Sequence, residues 1–151
     1  MTATPAEGGN SRGRPPRVSR EETIDAALRV ARRAGLPGVT MTALAEELGV
    51  SPMASYYHIA SKQELLELVV DAVLAGVRVP TAAEGDWKTR MTILLGSARQ
   101  ELGQVRGIGD VIRQRGATPQ AARLAGSVVE ILRDAGFGAE QATLAFDAIY
   151  T

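Results

Sequence analysis

Residues 40–58 read T-M-T-A-L-A-E-E-L-G-V-S-P-M-A-S-Y-Y-H, and no other run constrains the fold as tightly. Thr40 is a good N-cap, because its hydroxyl can take an orphan amide of the first helical turn. Met41, Leu44, Ala45 and Leu48 then form one apolar stripe at helical spacing. Gly49 stops that helix. Ser51 caps the next, and Pro52 occupies the first helical position, where a missing N–H costs nothing. Ala45 and Gly49 stand four apart, which puts a small residue where two helices cross and a glycine where the chain turns left-handed. Leu44, Leu48 and Val50 supply the buried side. The pattern predicts a helix-turn-helix, with a second helix over 52–58 offering Ser55, Tyr56, Tyr57 and His58 and no acidic side chain. Such a helix can lie in a DNA major groove, with phosphate contacts positioning it and base edges read by side chains. The same geometry occurs in plain helical bundles, but two tyrosines and a histidine are poor core material. One tyrosine is expected to pack in part and the other to be exposed. The alternative for His58 is an ordinary surface histidine.

Helical punctuation continues in both directions. Ser19 and Glu22 form a capping box ahead of a helix whose face is Ile24, Ala27, Leu28 and Ala31, ended by a left-handed Gly35 with Leu36 folding back and Pro37 blocking continuation. Ser61 and Glu64 form a second box, followed by a helix carrying Leu66, Val69, Val70 and Val73. Residues 79–86 read as a boundary. Asp86 caps a helix whose shared face is Trp87, Met91, Leu94, Leu95, Ala98 and Leu102. Residues 103–118 are broken by glycine, with a short helix expected near Asp110–Arg115. Thr118 and Pro119 start another, carrying Ala121, Ala125, Val128, Val129 and Leu132 and stopped by Gly136. A last helix begins near Ala139. Strand-like alternation appears nowhere, so the fold class is all-α. The expected division is a basic arm over 1–18, a helix-turn-helix domain over 19–78 and a helical domain over 79–151.

Composition narrows the chemistry. There is no cysteine and one histidine, which excludes a disulfide framework, a thiolate or multi-histidine metal site, and a cysteine nucleophile. No phosphate-binding glycine loop is present, and no cofactor is expected. The single histidine sits in the recognition segment, so an enzyme is not expected. No apolar run reaches the ~18–20 residues of a membrane span, and positions 1–18 have no apolar signal core. A soluble, cytoplasmic protein is expected. The formal net charge is +0, yet residues 1–20 hold Arg12, Arg14, Arg17 and Arg20 against Glu7 alone. A basic arm on a near-neutral body suits contact with a polyanion at one end. Residues 1–18 have the glycine- and proline-rich composition of a disordered segment.

The stretch from about Ser19 to Val73 closely resembles the TetR family of bacterial transcriptional regulators. The matching residues are L-P-G-V-T-M-T-A-L-A-E-E-L-G-V-S, Y-Y-H-I and S-K-Q-E-L-L. The resemblance implies a three-helix DNA-binding head followed by a helical ligand-binding and dimerisation body. By position it implies that Tyr56, Tyr57 and His58 meet phosphates and bases, that Thr40 and Lys62 bind phosphate, and that Thr42 and Ala54 sit near base edges. Ser51, as cap of the recognition helix, joins the same candidate interface. Lys62 has an independent argument: a cation at a helix N-terminus is unfavourable by dipole unless an anion is shared there. Ser55 departs from the family, which usually has a buried aliphatic before the tyrosine. Its hydroxyl must find a backbone carbonyl or leave a small void.

R-G-R-P-P-R at 12–17 resembles an AT-hook core. Pro15 and Pro16 stiffen an extended chain, Gly13 lets the backbone lie deep, and Arg12 and Arg14 suit a narrow A·T minor groove. The alternative is a solvated basic tail. The segment from Asp86 onward resembles a TetR-type regulatory domain through D-W-K and L-R-D-A-G-F. The family implies an effector pocket there, for which Met91, Leu95, Ala98, Val128 and Leu132 are candidates. By periodicity alone those five are core. The family usually continues for several more helices that form its dimer interface, so this chain is expected to be truncated or to dimerise differently.

Two functions follow. One, implied by the family resemblance, is a sequence-specific DNA-binding transcriptional regulator, a repressor acting as a homodimer on a palindromic operator and released by a small-molecule effector, cytoplasmic, bacterial and nucleoid-associated. The other is an architectural DNA-binding protein without effector control.

Overall fold

The computed structural model describes residues 18–56, 59–115, 118–138, 140, 141 and 144. Residues 1–17 of the expected arm, the expected last helix near Ala139 for the most part, and Tyr57 and His58 lie outside these. The described chain is helical, in the order α1 (Arg20–Ala34), α2 (Met41–Leu48), α3 (Pro52–Ser55), α4 (Lys62–Ala75), α5 (Trp87–Gly103), α6 (Ile108–Arg115) and α7 (Pro119–Asp134), with 3₁₀ turns at Leu36–Gly38 and Ala82–Glu84.

Local chemistry sets the helix starts. Ser19 and Glu22 exchange the two bonds of a capping box: Glu22 N–H donates to Ser19 Oγ at 3.0 Å and Ser19 N–H to Glu22 Oε2 at 2.6 Å. Those bonds, the backbone one first, hold the Glu22 carboxyl below the ordinary glutamate range. Thr40, Ser51, Asp86 and Thr118 each accept an amide of the first turn, as expected. At α4 the expected box is displaced. Ser61 Oγ accepts from Glu64 N–H, but the Glu64 carboxylate takes Ala60 N–H at 2.8 Å instead of the cap residue's own.

Glycine ends helices in two ways. Gly49 is left-handed, with φ 66° and ψ 31°. Gly35 has a positive φ of 75° but an extended ψ of 170°, so the expected left-handed cap is corrected. The extended exit sends Leu36 into the 3₁₀ turn, and its N–H leaves the segment to donate to Arg106 C=O at 2.9 Å.

α1 packs on α2 and on α4, and α2 on α3, which makes the helix-turn-helix head. α4 also packs on α5, α6 and α7 and is therefore common to head and body. Leu65 and Val69 on α4 are fully enclosed, each contributing about 1.5–3 kcal/mol of burial. α1 buries Thr23, Ala26, Ala27, Val30 and Ala31, and leaves Ile24 and Leu28 half-buried, so its inner face is rotated from the one expected. Small residues there let α1 approach α2 and α4 closely.

The ends of α4 and α7 cap each other. Asp71 on α4 accepts Gln120 N–H, in the first turn of α7, at 2.8 Å. Arg123 on α7 donates to Leu74 C=O in the last turn of α4 and to Val77 C=O just beyond it, both at 3.3 Å. Asp71 thus satisfies an orphan amide of α7, while Arg123 adds a second donor to Leu74 C=O, which also accepts Val77 N–H at 3.1 Å.

Candidate nucleic-acid interface

The turn after α2 is built from backbone bonds. Gly49 N–H donates to Glu46 C=O at 3.2 Å and Val50 N–H to Ala45 C=O at 3.0 Å. This reverses the chain and starts α3 across the end of α2. α3 is shorter than expected, a single turn ending at Ser55 with Tyr56 as its C-cap.

The candidate residues divide by exposure. Thr42, Ser51 and Lys62 are exposed, and Tyr56 is 52% exposed. Thr40 and Ala54 are half-buried, and the Thr40 hydroxyl accepts Ala43 N–H at 3.1 Å. Ser55 is corrected: it is 3% exposed and faces inward. Its hydroxyl finds the carbonyl that the sequence demanded, donating to Pro52 C=O at 2.7 Å. Arg12, Arg14, Arg17, Tyr57 and His58 lie outside the described residues.

Sequence reasoning missed Met53, the most exposed of the large apolar side chains described, at 82%. The signal depended on which way Ser55 faces. Two helical positions span about 200°, so a residue two before an inward Ser55 must point outward.

Electrostatics favour an anion on this side. Residues 49–63 contain no acid. The more buried of the two acids on α2, Glu47, is claimed by α1: Arg29 Nε donates to its Oε1 at 2.7 Å, and both terminal nitrogens of Arg33 reach Oε2 at 3.1 Å. Arg29 first, then Arg33, hold its carboxyl below the ordinary glutamate range.

The body places the expected pocket residues less favourably. Val128 and Leu132 are buried, while Met91 and Ala98 are half-buried against the same core. Leu95 is corrected: it is 40% exposed. α5 instead turns Arg90 inward, where Nη1 donates to Asp134 Oδ2 at 2.8 Å across to α7 while Nε is buried without a partner. Trp87 sits edge-on to Phe137, with ring centroids 5.6 Å apart. A cleft of about 200 Å³ lies elsewhere, at the joint of head and body, lined by Leu36, Pro37, Lys62, Leu66, Gly107, Asp110 and Val111. Among the described residues no helix is long and apolar enough to cross a membrane, and no cluster of three potential metal ligands occurs.

A helix-turn-helix head sharing a long helix with a helical body is the architecture of a class of transcriptional regulators. The family model for bacterial regulatory proteins, tetR family, matches residues 24–69, and the model for a tetracyclin repressor-like C-terminal domain matches 79–151. The chain belongs to the TetR family, whose members are regulators rather than enzymes. It is 33% identical over 136 residues to the tetracycline repressor protein class C of Escherichia coli, covering 88% of this chain and 62% of that one. A possible TetR family regulator from Streptomyces coelicolor A3(2) superposes with a TM-score of 0.77 at 31% identity, covering 87% of this chain and 65% of that one. BioQ, solved with its double-stranded DNA operator, superposes with a TM-score of 0.75 at 25% identity, covering 87% of this chain and 80% of that one. The chain thus spans a little under two thirds of the length of the first two.

Proposed function

We propose that this chain is a sequence-specific, double-stranded DNA-binding transcriptional repressor, acting as a homodimer and released from its operator by a small-molecule effector. The observation that carries the reading is the acid-free segment 49–63, held on a backbone-locked turn with Ser51, Tyr56 and Lys62 exposed. Thr40, Thr42, Ser51, Ala54, Tyr56 and Lys62 form the described part of the interface, with Tyr57 and His58 continuing it along the sequence. Arg12, Arg14 and Arg17 extend it into an adjacent minor groove. A single turn of helix reads few bases, so two copies with recognition helices ~34–36 Å apart would read successive major grooves of a palindromic operator. The kinship with a repressor named for tetracycline and with a protein solved on its operator supports both halves of the reading.

Effector control would be a population shift: a ligand that prefers a state with the head displaced lowers DNA affinity by its differential affinity for the two states. α4 belongs to both head and body, so a ligand held by the body can act on the head through it. Selection of bound DNA from a random library at two salt concentrations tests the first half. A palindromic consensus is expected, and recovery of unrelated sequences refutes it. Deleting residues 1–17 should weaken A·T-flanked sites more than G·C-flanked ones. An effector should raise thermal stability stoichiometrically and release the DNA. An architectural protein would show neither effect.

A further inference from the structure

The groups that α3 offers outward are almost all apolar. Pro52 has no N–H. The Ser55 hydroxyl is buried and donates to Pro52 C=O at 2.7 Å. Ser51 Oγ accepts Ala54 N–H at 3.3 Å. Met53, by contrast, stands 82% exposed at the second position of the helix, and the half-buried methyl of Ala54 follows it. Exposing an unbranched thioether gains a monomer nothing, and here it is flanked by no acid that would keep DNA away.

We infer that Met53 is a specificity-determining residue that reads the C5-methyl group of a thymine in the major groove. The inference rests on the DNA-binding reading above. Thymine is the base that presents an apolar group on its major-groove edge, so a helix whose polar side chains are consumed internally can discriminate there by apolar contact. Methionine suits this contact because its flexible, polarizable chain fills an irregular apolar gap. Its exposure means the contact is made without unpacking the core.

The test is a cycle between protein and DNA. The full chain first selects its sequence from a random duplex library. Each thymine of the selected half-site is then replaced singly by deoxyuridine, which removes only the methyl. Binding of the wild-type chain and of Met53→Ala is measured on every duplex. For one thymine per half-site, the wild-type chain should lose about fourfold in affinity, the equivalent of one buried methyl, and Met53→Ala should lose nothing further. Met53→Leu should retain the sensitivity to deoxyuridine.

Equal losses for wild type and Met53→Ala at every thymine overturn the inference while leaving DNA binding intact. So does a uniform weakening of Met53→Ala on thymine and deoxyuridine alike, which would place the side chain against the sugar–phosphate backbone. A change in the oligomeric state of Met53→Ala without DNA overturns it in favour of contact with a second copy. Enrichment of no sequence at all overturns the proposed function, and this inference with it.

Discussion

Gly49 should carry a stability cost that is conformational and nothing else. Its φ of 66° and ψ of 31° lie in the left-handed region. A Cβ built there meets no atom within 4 Å, so Gly49→Ala adds no clash. Placing an L-residue in that conformation costs about 1–2 kcal/mol. Replacing glycine by alanine also restricts the unfolded chain, which returns about 0.4–1 kcal/mol. The net loss should be about 1 kcal/mol, or roughly 2–4 °C in Tm for a chain of this size. Gly49→Asn should lose less, because asparagine visits this region more readily. Gly49→Val should lose more, because β-branched residues tolerate it least. Gly38→Ala is the contrasting control: its Cβ would stand 2.5 Å from Ala34 Cβ, so α1 or the 3₁₀ turn must shift. Equilibrium urea unfolding of the four variants, followed by circular dichroism, gives the order. Sequence-specific DNA binding by folded Gly49→Ala should match wild type, since the bonds from Gly49 N–H and Val50 N–H remain available. A Gly49→Ala protein more stable than wild type, or one losing more than about 3 kcal/mol, would refute the reasoning, the first by denying the left-handed turn and the second by revealing a hidden clash.

Arg90→Met should be neutral or stabilising in denaturant unfolding, because it removes a buried unpartnered Nε while keeping an apolar stem between α5 and α7. Asp134→Ala should destabilise by about 1 kcal/mol, because it removes the ion pair with Arg90 while leaving the guanidinium charge buried. Lys62→Ala should weaken specific and random DNA about equally and reduce the slope of log affinity against log salt by about one, as loss of one phosphate contact requires. A loss confined to the specific site would reassign Lys62 to base reading. Glu47 is ionised more readily in the folded chain than in the unfolded one, so its contribution to stability is complete above pH 4.5 and disappears as the pH falls through its lower folded value. Glu47→Gln should therefore be less stable than wild type at pH 7, and the difference should shrink in acid.

The helix starts were legible in the sequence because a cap is a local bond. Ser19, Thr40, Ser51, Asp86 and Thr118 each meet an amide within three residues, whatever the rest of the chain does. Facing was less legible. α5 carries apolar side chains on more than one side, and the stripe that turns inward depends on α7. Arg90 is buried because Asp134, 44 residues later, stands opposite it, and Leu95 is left at the surface. No periodicity within α5 contains that information. The length of α3 was overestimated because Tyr56, Tyr57 and His58 do not break a helix by propensity. At Ser55 the sequence defined a choice between a carbonyl and a void, and packing settled it in favour of the Pro52 carbonyl. The candidate interface was readable as a segment, but its outward apolar tip at Met53 was visible only once Ser55 was seen to face in.

The exchange of caps between α4 and α7 fixes how the molecule comes apart. Arg123 holds Leu74 C=O and, just past α4, Val77 C=O, and Asp71 holds an early amide of α7, so neither end can open without breaking bonds to the other. The two ends therefore belong to one opening unit, although more than 40 residues separate them in the chain. Their amides should exchange with solvent at a common rate set by that shared opening, slower than either terminus would show on an isolated helix.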